Sequence, residues 1–375
     1  MADLEKKQNR SEIAEEGVPG SKRSRFSGEA GSPGKVDHMQ KYWRMISVYS
    51  AAHFLVDFAC AFLMFRSISQ SPDWYTCLLL YNFCAFAMQA PIGVIADRLN
   101  RNHLIACIGC IMVAAGYGLA NLPVIAAIVI GLGNGMFHIG GGVDILNISV
   151  EKSSALGIFV SPGAFGVYFG TMLGRGGSLI GFPVPLVLLA AAALIFTVRR
   201  VQRSVYMENL PFSPEASPMA LIVTVCLFLV VCLRSYVGLA INFPWKSAGF
   251  WGLALVCATV FGKVAGGFIS DHFGTVRTAV LSLGLAALLF LIPQYPAAGL
   301  MAIFAFNMTM PITLWSVAKI FPGAKGFSFG LLTFALFLGF LPVFLGSGTP
   351  PFWLFAPLAA VSLALLCAGL RKAKL

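Results

Sequence analysis

The sequence has few charged residues for its length. Of its 375 residues, 11% are Asp, Glu, Lys or Arg, whereas a soluble domain carries about 25%. Hydrophobic residues make up 58% of the chain, and the mean hydropathy is +0.82. A globule of this size would have too little polar surface to cover itself in water. The composition therefore excludes an ordinary soluble protein and predicts one whose surface faces lipid.

Motifs for nucleotide hydrolysis and metal-dependent catalysis are also missing. The sequence has no G-x-x-x-x-G-K-S/T loop, which argues against ATP-driven work by this chain. It has no H-E-x-x-H either, and no catalytic constellation points to an enzyme. The nine cysteines are scattered, and Cys107-x-x-Cys110 lies on a predicted helix, where it is interpreted as a packing pair. No disulfide framework, metal site or cofactor is predicted.

Beyond residue 44 the chain divides into apolar segments of about 20 residues, the length that spans a bilayer. The segments are apolar all round and lack the alternation of a membrane barrel, so helices are predicted. The predicted fold class is an all-α membrane protein with twelve transmembrane helices in two pseudo-symmetric six-helix bundles. These spans are predicted at about 45–65, 75–96, 103–121, 123–145, 155–174, 178–198, 219–241, 249–270, 276–293, 297–319, 326–346 and 351–370.

The net charge of +11 is unevenly distributed. Residues 1–44 contain nine Lys or Arg interleaved with acidic residues, Gly and Ser, which predicts a disordered tail and not a signal peptide. Most basic residues between the spans fall on the side of this tail, whereas the opposite loops contain Arg66, Arg175 and Lys246. By the positive-inside rule, both termini are predicted to be cytoplasmic in a cell (plasma or inner) membrane.

The longest interior polar stretch is 199–218, with three Arg, two Glu and three Pro. It is the natural linker between two halves. The predicted organisation is a cytoplasmic tail at 1–44, a first bundle at 45–198, the linker at 199–218 and a second bundle at 219–375.

A loop motif occurs once in each half. The first copy, which ends span two, is Gly93-Val-Ile-Ala-Asp97-Arg98-Leu-Asn-Arg101. The second copy, which ends span eight, is Gly267-Phe-Ile-Ser-Asp271-His272-Phe-Gly274-Thr-Val-Arg277. Repeated halves of this kind are typical of transporters.

The residue types in the motif suggest a latch. Asp271 follows Asp97 by 174 residues, and near the same offset Asn307 follows Asn134. Glycine allows helices to approach closely, and the Asp is predicted to accept hydrogen bonds from a neighbouring helix N-terminus or a basic side chain. A helix-turn-helix with solvated charges is the alternative.

At these residues the chain resembles the major facilitator superfamily. The superfamily loop motif G-x-x-x-D-R/K-x-G-R-R/K matches Gly93, Asp97, Arg98 and Arg101, with Asn100 and Asn102 as departures, and the second copy keeps Gly267, Asp271, Gly274 and Arg277. The resemblance covers residues 45–370 and implies two pseudo-symmetric bundles, a central cavity and alternating access. It implies no substrate, because this fold carries many.

Two further patterns resemble narrower groups within the superfamily. His53-x-x-x-Asp57, with Phe137-His138 before Gly140–Gly142, is similar to the fosmidomycin-resistance type of drug exporter, with Ile139 in place of a Pro. Gly166, Gly170 and Gly174 partly resemble the span-five signature of superfamily antiporters. Close helix packing explains this second pattern equally well.

Ionisable residues inside apolar spans are costly unless they are paired or hydrated, so the few that occur are candidates for function. His53 and Asp57 share one face of span one, with Asp57 about 18 Å along the helix. They predict a proton-accepting pair, or alternatively a static interhelical hydrogen-bond pair.

The second half contributes two cations. Arg234 lies about 22 Å into span seven, which in the superfamily faces span one across the cavity, so Asp57 and Arg234 form a candidate ion pair. Arg234 is otherwise predicted to bind an anionic group of the solute, or to snorkel. Lys263 in span eight is predicted to bind an anion or to pair with a carboxylate, of which Asp271 is one.

Span four supplies the remaining candidates. Asn134, His138 and Asp144 lie along it, and Asn307 is the counterpart of Asn134 in the second half. Gly140–Gly142 weaken helix propensity and predict a bent segment whose backbone groups bind a ligand, with a gating hinge or close packing as alternatives. Asp144 also fits an ordinary interfacial charge.

The preferred hypothesis is a secondary active transporter of a small anionic or zwitterionic solute. It would work by alternating access, coupled to a proton or ion gradient, as a symporter or an antiporter. A drug or amphiphile efflux carrier is the alternative, and a non-transporting membrane sensor or scaffold is the alternative of another class. The expected partners are a small-molecule substrate, the coupling ion and the lipid bilayer. No nucleic-acid partner is expected, and the protein is predicted to be a monomer.

Overall fold

The protein is described by a computed structural model that covers residues 38–177, 183–201, 210–213, 217–247, 249–346, 348 and 350–375. Across these ranges the regular elements are helices, and no strand occurs. The first thirty-seven residues of the predicted tail lie outside the described part, as does most of the predicted linker. The first helix begins at His38, ahead of the predicted start of span one.

The helices follow the predicted spans closely. In the first half they are α1 (His38–Arg66), α2 (Trp74–Asn82), α3 (Gln89–Leu99), α4 (Asn102–Gly118), α5 (Pro123–Ile148), α6 (Ser154–Phe159), α7 (Pro162–Arg175) and α8 (Val184–Val201). In the second half they are α9 (Pro218–Ala240), α10 (Trp251–Phe273), α11 (Thr275–Leu289), α12 (Pro296–Asn307), α13 (Thr309–Ile320), α14 (Lys325–Phe344) and α15 (Phe355–Ala373).

Each of the twelve predicted spans corresponds to one helix or to two consecutive helices. Nine of these helical segments in the described residues are long and apolar enough to cross a membrane. Two more, Asn102–Gly118 and Thr275–Leu289, are apolar but shorter, and α8 has 18 residues. The structure is therefore that of a multi-pass helical membrane protein.

Three spans are interrupted, and proline accounts for two of the interruptions. Span two contains a π-helical turn, Phe83–Ala87, between α2 and α3. Span five breaks between α6 and α7 just before Pro162, and span ten breaks at Met308, three residues before Pro311. Proline has no N–H to donate and its ring collides with the carbonyl four residues back. The break in span five is important below because it exposes two backbone carbonyls.

The prediction that Gly140–Gly142 of span four free backbone groups for a ligand is wrong. Helix α5 runs without interruption from Pro123 to Ile148. These glycines are instead places of close approach: a side chain at Gly140 would overlap the backbone of α4, and one at Gly142 would overlap the ring of Phe329 in α14. Close packing, the alternative interpretation, explains the three glycines.

The glycines of span five pack α7 against α1. A β-carbon at Gly166, Gly170 or Gly174 would overlap a backbone carbonyl of α1, namely that of Phe54, Phe58 and Phe62 respectively. Both series repeat every four residues, so the two helices stay in contact over several turns. This contact holds span five against His53 and Asp57.

The two halves contact each other reciprocally at the end of the bundle that carries Asp97 and Asp271, here called the motif end. Gly93 of α3 lies against the Gly326 backbone of α14, and Gly267 of α10 lies against the Ser154 backbone of α6. Span two of the first half thus meets span eleven, and span eight of the second half meets span five. The sequence repeat therefore appears in the structure as two related interhelical contacts.

We expect Gly170→Ala to destabilise the protein and Gly284→Ala not to do so. Both substitutions gain the same helix propensity, about 1 kcal/mol. A methyl group at Gly170 collides with the Phe58 carbonyl, whereas one at Gly284 meets nothing within 4 Å. Overpacking costs about 1–3 kcal/mol, so purified G170A should unfold at a lower temperature than G284A. Equal unfolding temperatures would contradict the tight contact between spans one and five.

Candidate ion and solute site

Four polar side chains from spans one and four form one cluster inside the first half. His53 Nε2 lies 3.2 Å from Asp57 Oδ2, and His138 Nε2 lies 3.8 Å from Asp57 Oδ1. Asn134 donates a hydrogen bond of 2.9 Å from Nδ2 to Asp57 Oδ1. The two imidazoles meet directly, with 2.8 Å between their Nε2 atoms. The sequence predicted the pairing of His53 with Asp57, but not that Asn134 and His138 join this pair.

Span five closes this cluster from a third side. His53 Nδ1 lies 2.6 Å from the carbonyl oxygen of Phe159, the last residue of α6. A β-carbon at Gly163 would overlap both Asp57 and His53. The site is thus packed directly against the break in span five, with no room for a side chain between them.

The cations of the second half lie close to this break. Lys263 Nζ of α10 donates a hydrogen bond of 3.1 Å to the carbonyl of Val160, the residue after Phe159. Arg234 of α9 is 7% exposed and donates from Nη1 to Thr313 Oγ1 at 3.2 Å. Lys263 is near enough to Arg234 and to Asp57 for their charges to interact. Lys263 therefore connects the ionisable groups of the two halves.

Two predicted ion pairs do not form in this conformation. Asp57 is satisfied within its own half by His53 and Asn134, and it makes no salt bridge with Arg234. Lys263 does not pair with Asp271, because its ammonium reaches the Val160 carbonyl. No carboxylate of the described chain lies within salt-bridge distance of either cation.

Two other predicted residues lie apart from this cluster. Asp144 is buried between Tyr49, whose hydroxyl donates at 2.6 Å, and Asn102, whose Nδ2 donates at 3.0 Å. It therefore ties spans one, three and four together. Asn307 donates to the Ile303 carbonyl of its own helix at 2.9 Å, at the break in span ten. No contact brings Asp144 or Asn307 to His138 or Lys263.

The loop motif places each of its Asp residues at a helix N-terminus of the opposite half. Asp97 accepts hydrogen bonds from the backbone N–H groups of Gly326 at 2.7 Å and Phe327 at 2.8 Å, in the first turn of α14. Asp271 accepts from those of Ser153 at 2.6 Å and Ser154 at 3.0 Å, where α6 begins. Each carboxylate complements the positive end of a helix dipole.

The remaining motif residues shape the two loops. Asn100, where the superfamily motif has Gly, ends α3 in the left-handed conformation with φ 50°. Gly274 ends α10 with φ 87°. The guanidinium of Arg98 stacks over the Phe212 ring at 5.1 Å, whereas Arg101 and Arg277 are exposed. These basic residues take no part in the contacts of Asp97 and Asp271.

Sequence reasoning missed the role of backbone groups. The carbonyls of Phe159 and Val160 bind His53 and Lys263, and Pro162 was the available signal for the break that exposes them. It also missed the pattern G-x-S-x-G at Gly326–Gly330. That segment lies within the first turns of α14, and the Ser328 hydroxyl donates to the Ala324 carbonyl. It does not form the strand-to-helix elbow of a hydrolase.

No family model matches the sequence, and no curated protein matches it. Solved structures do match its fold. The fucose:proton symporter of E. coli aligns with a TM-score of 0.64 and 12% identity, over 88% of this chain and 98% of that chain. The human organic anion transporter aligns at 0.63 and 16%, over 86% and 99%. A bacterial homologue of the iron transporter ferroportin, in an outward-facing state, aligns at 0.56 and 14%, over 88% and 98%.

The helices define a multi-pass helical membrane protein. More particularly, the chain has the fold of the major facilitator superfamily transporters. The resemblance implied by the loop motif is confirmed at the level of the fold.

We expect Asp97→Asn to weaken closure at the motif end more than Asp271→Asn does. Both carboxylates accept from two backbone N–H groups, but Asp97 is 3% exposed whereas Asp271 is exposed to solvent. An amide would turn its own N–H toward one of the donors of α14, and a lost charge-assisted bond costs about 1.5–3 kcal/mol. That shifts the open fraction by roughly 10- to 150-fold.

The measurement is the distance between spin labels at the exposed residues Leu99 and Lys319, one in each half. Asp73→Asn, in the exposed loop after α1, is the matched control and should leave the distance distribution unchanged. An unchanged distance distribution in Asp97→Asn would show that Asp97 does not hold the motif end closed.

Proposed function

We propose that this protein is a secondary active transporter that moves a small anionic solute between its two halves, coupled to an ion gradient. The observation that carries the proposal is the state of Arg234. Its guanidinium is 7% exposed, with Thr313 as a hydrogen-bond partner and no carboxylate of the described chain within salt-bridge distance.

A buried cation without a counterion is costly. Such a cation in the spans therefore suggests that an anionic ligand binds to it. Guanidinium presents a planar fork of donors that matches carboxylate and phosphate oxygens. Lys263 is near enough to Arg234 for their charges to repel, and an anion between them would relieve that repulsion. Both cations lie in the second half, and Lys263 contacts the break in span five of the first half.

The proposed coupling site is the cluster of His53, Asp57 and His138. It lies in the first half, whereas the proposed anion site lies in the second half. Lys263 connects them, because its ammonium interacts with the charges of both Asp57 and Arg234. Occupancy of one site therefore changes the field at the other.

The closed motif end supports an alternating-access cycle. Asp97, Asp271 and Lys263 all bond across the boundary between the halves in this conformation. Passage of a solute to the motif end requires those bonds to break together. Two proteins with this fold are a fucose:proton symporter and an organic anion transporter, and both activities are compatible with the proposal.

We expect Arg234→Ala to abolish solute uptake while the protein still folds and reaches the membrane. Loss of one partner of a buried charge pair costs about 2–5 kcal/mol of binding, which is a loss of affinity of at least about 30-fold. The loss of affinity is measured by thermal shift of the purified protein with carboxylates, phosphate monoesters and matched neutral sugars.

Arg371→Ala, at the exposed end of α15, is the matched control and should keep the wild-type thermal shifts. Normal anion binding by Arg234→Ala would remove this residue from the site. Stabilisation of wild-type protein by neutral sugars alone would contradict an anionic solute.

We expect Asp57→Asn to uncouple transport from the ion gradient. The substitution keeps the shape of the side chain but removes the charge that faces both imidazoles. Accumulation of solute in proteoliposomes against its gradient should be lost, while transport of solute down its own gradient continues. Uptake that still collapses when the proton gradient is dissipated would refute this role for Asp57.

A further inference from the structure

The donors and acceptors around His53 and His138 cannot be satisfied by two neutral imidazoles. His53 Nδ1 faces the Phe159 carbonyl at 2.6 Å, and His138 Nδ1 faces the Asn134 carbonyl at 2.9 Å. A carbonyl oxygen only accepts, so both Nδ1 atoms must carry hydrogen. In a neutral imidazole the other nitrogen is then bare, which makes both Nε2 atoms acceptors.

These two Nε2 atoms lie 2.8 Å apart, and two lone pairs at that distance repel each other. Rotating either ring by half a turn does not help, because carbon atoms would then face the carbonyls. The contact becomes a normal hydrogen bond only when one Nε2 carries an additional proton and donates it to the other.

Protonation of Asp57 in place of an imidazole does not remove the repulsion between the two Nε2 atoms. A carboxylic acid on Asp57 could donate to His53 Nε2 at 3.2 Å, but His138 Nε2 would still face an acceptor. As a carboxylate, Asp57 instead balances the charge of an imidazolium, while Asn134 fixes its orientation at 2.9 Å. The cluster with one added proton is electrically neutral, which suits its burial.

A metal ion fits this geometry poorly. The ligand atoms of His53, Asp57 and His138 all lie within 4.8 Å of one another. Two imidazole nitrogens on one tetrahedral ion, at about 2.0–2.1 Å each, would stand about 3.3 Å apart, farther than the 2.8 Å between these Nε2 atoms. Gly163 already touches His53 and Asp57, so the rings have no space on that side to separate.

We propose that His53 and His138 share a single proton between their Nε2 atoms, balanced by Asp57, and that this proton is the coupling ion of the transporter. The location of the proton stands on the hydrogen-bond geometry alone. Its role as the coupling ion rests on the proposed transport function.

The same proton connects the coupling site to the contact between the halves. When it leaves, the two Nε2 lone pairs must separate, and His53 is bound through Nδ1 to the Phe159 carbonyl. The next carbonyl, that of Val160, accepts Lys263 from the opposite half. Movement of His53 therefore acts on the short break that carries this cross-half contact, so the protonated cluster favours closure at the motif end.

The pH dependence involves a defined set of neighbouring groups. Those whose charges or hydrogen bonds act on the cluster are Cys60, Tyr81, Asn134 and Lys263. Imidazole is the side chain whose unperturbed pKa lies closest to neutral pH, well below those of the Tyr phenol and the Cys thiol. We therefore expect closure at the motif end to weaken as pH rises and the shared proton is lost.

The test is nitrogen NMR of full-length protein labelled with ¹⁵N-histidine, in lipid nanodiscs at acidic and alkaline pH. The chain has five histidines, and the signals of His53 and His138 are those lost in single His→Gln variants. The expected result is a scalar coupling between two Nε2 atoms across one proton at acidic pH. It should disappear at alkaline pH together with a change in the distance between labels at Leu99 and Lys319.

His138→Gln is the decisive variant, because its amide N–H can donate to His53 Nε2 without an added proton. Closure at the motif end should then become independent of pH. His38→Gln, at the first residue of α1 and outside both copies of the loop motif, is the control and should keep the wild-type pH dependence. Variants are compared only after thermal unfolding shows a folded protein, and His138→Asn replaces His138→Gln if that variant fails to fold.

Two results would overturn the inference. One is a pair of neutral or separately protonated imidazoles without nitrogen–nitrogen coupling at any pH. The other is stabilisation of wild-type protein, but not of His138→Gln, by Zn²⁺ alone. Neither measurement uses the solute, so an anion that fails to bind would contradict the proposed function and leave the shared proton standing.

Discussion

A charge placed in hydrocarbon must find its partner inside the protein, and this constraint organises the whole centre of the molecule. Only a few ionisable side chains lie within the spans. Asp57 is met by two imidazoles and an amide, Asp144 by a hydroxyl and an amide, and Lys263 by a backbone carbonyl. Arg234, like Lys263, has a single neutral hydrogen-bond partner, the hydroxyl of Thr313. That imbalance is the basis of the proposed anion site.

The break in span five provides backbone partners for two of these ionisable side chains. An unbroken helix would consume its carbonyls in its own hydrogen bonds. The interruption before Pro162 releases those of Phe159 and Val160, which bind His53 of the first half and Lys263 of the second. Two adjacent peptide groups thus join the proposed proton site to the contact between the halves. A rigid connection of this kind lets a sub-ångström change at one site alter the other.

The reciprocal contacts at the motif end show how a duplicated sequence closes one side of a bundle. Each Asp caps a helix of the opposite half, and glycines let the backbones approach. The copies are unequal, since Asp97 is buried and Asp271 is exposed. A low local dielectric strengthens a hydrogen bond, so burial is expected to strengthen the bonds of Asp97.

The sequence by itself determined the helical spans, the paired loop motif and the small set of ionisable candidates. Apolar runs of membrane length and repeated residues are one-dimensional signals, and they depend on little beyond the solvent and the helix period. Partner choice was decided only by the tertiary structure. Asp57 was expected to meet Arg234 but bonds within its own half, and Gly140–Gly142 were expected to open a helix that remains uninterrupted. The physical reason is that hydrogen bonds between helices depend on rotation and approach to within a few tenths of an ångström, which packing sets and spacing along the chain does not.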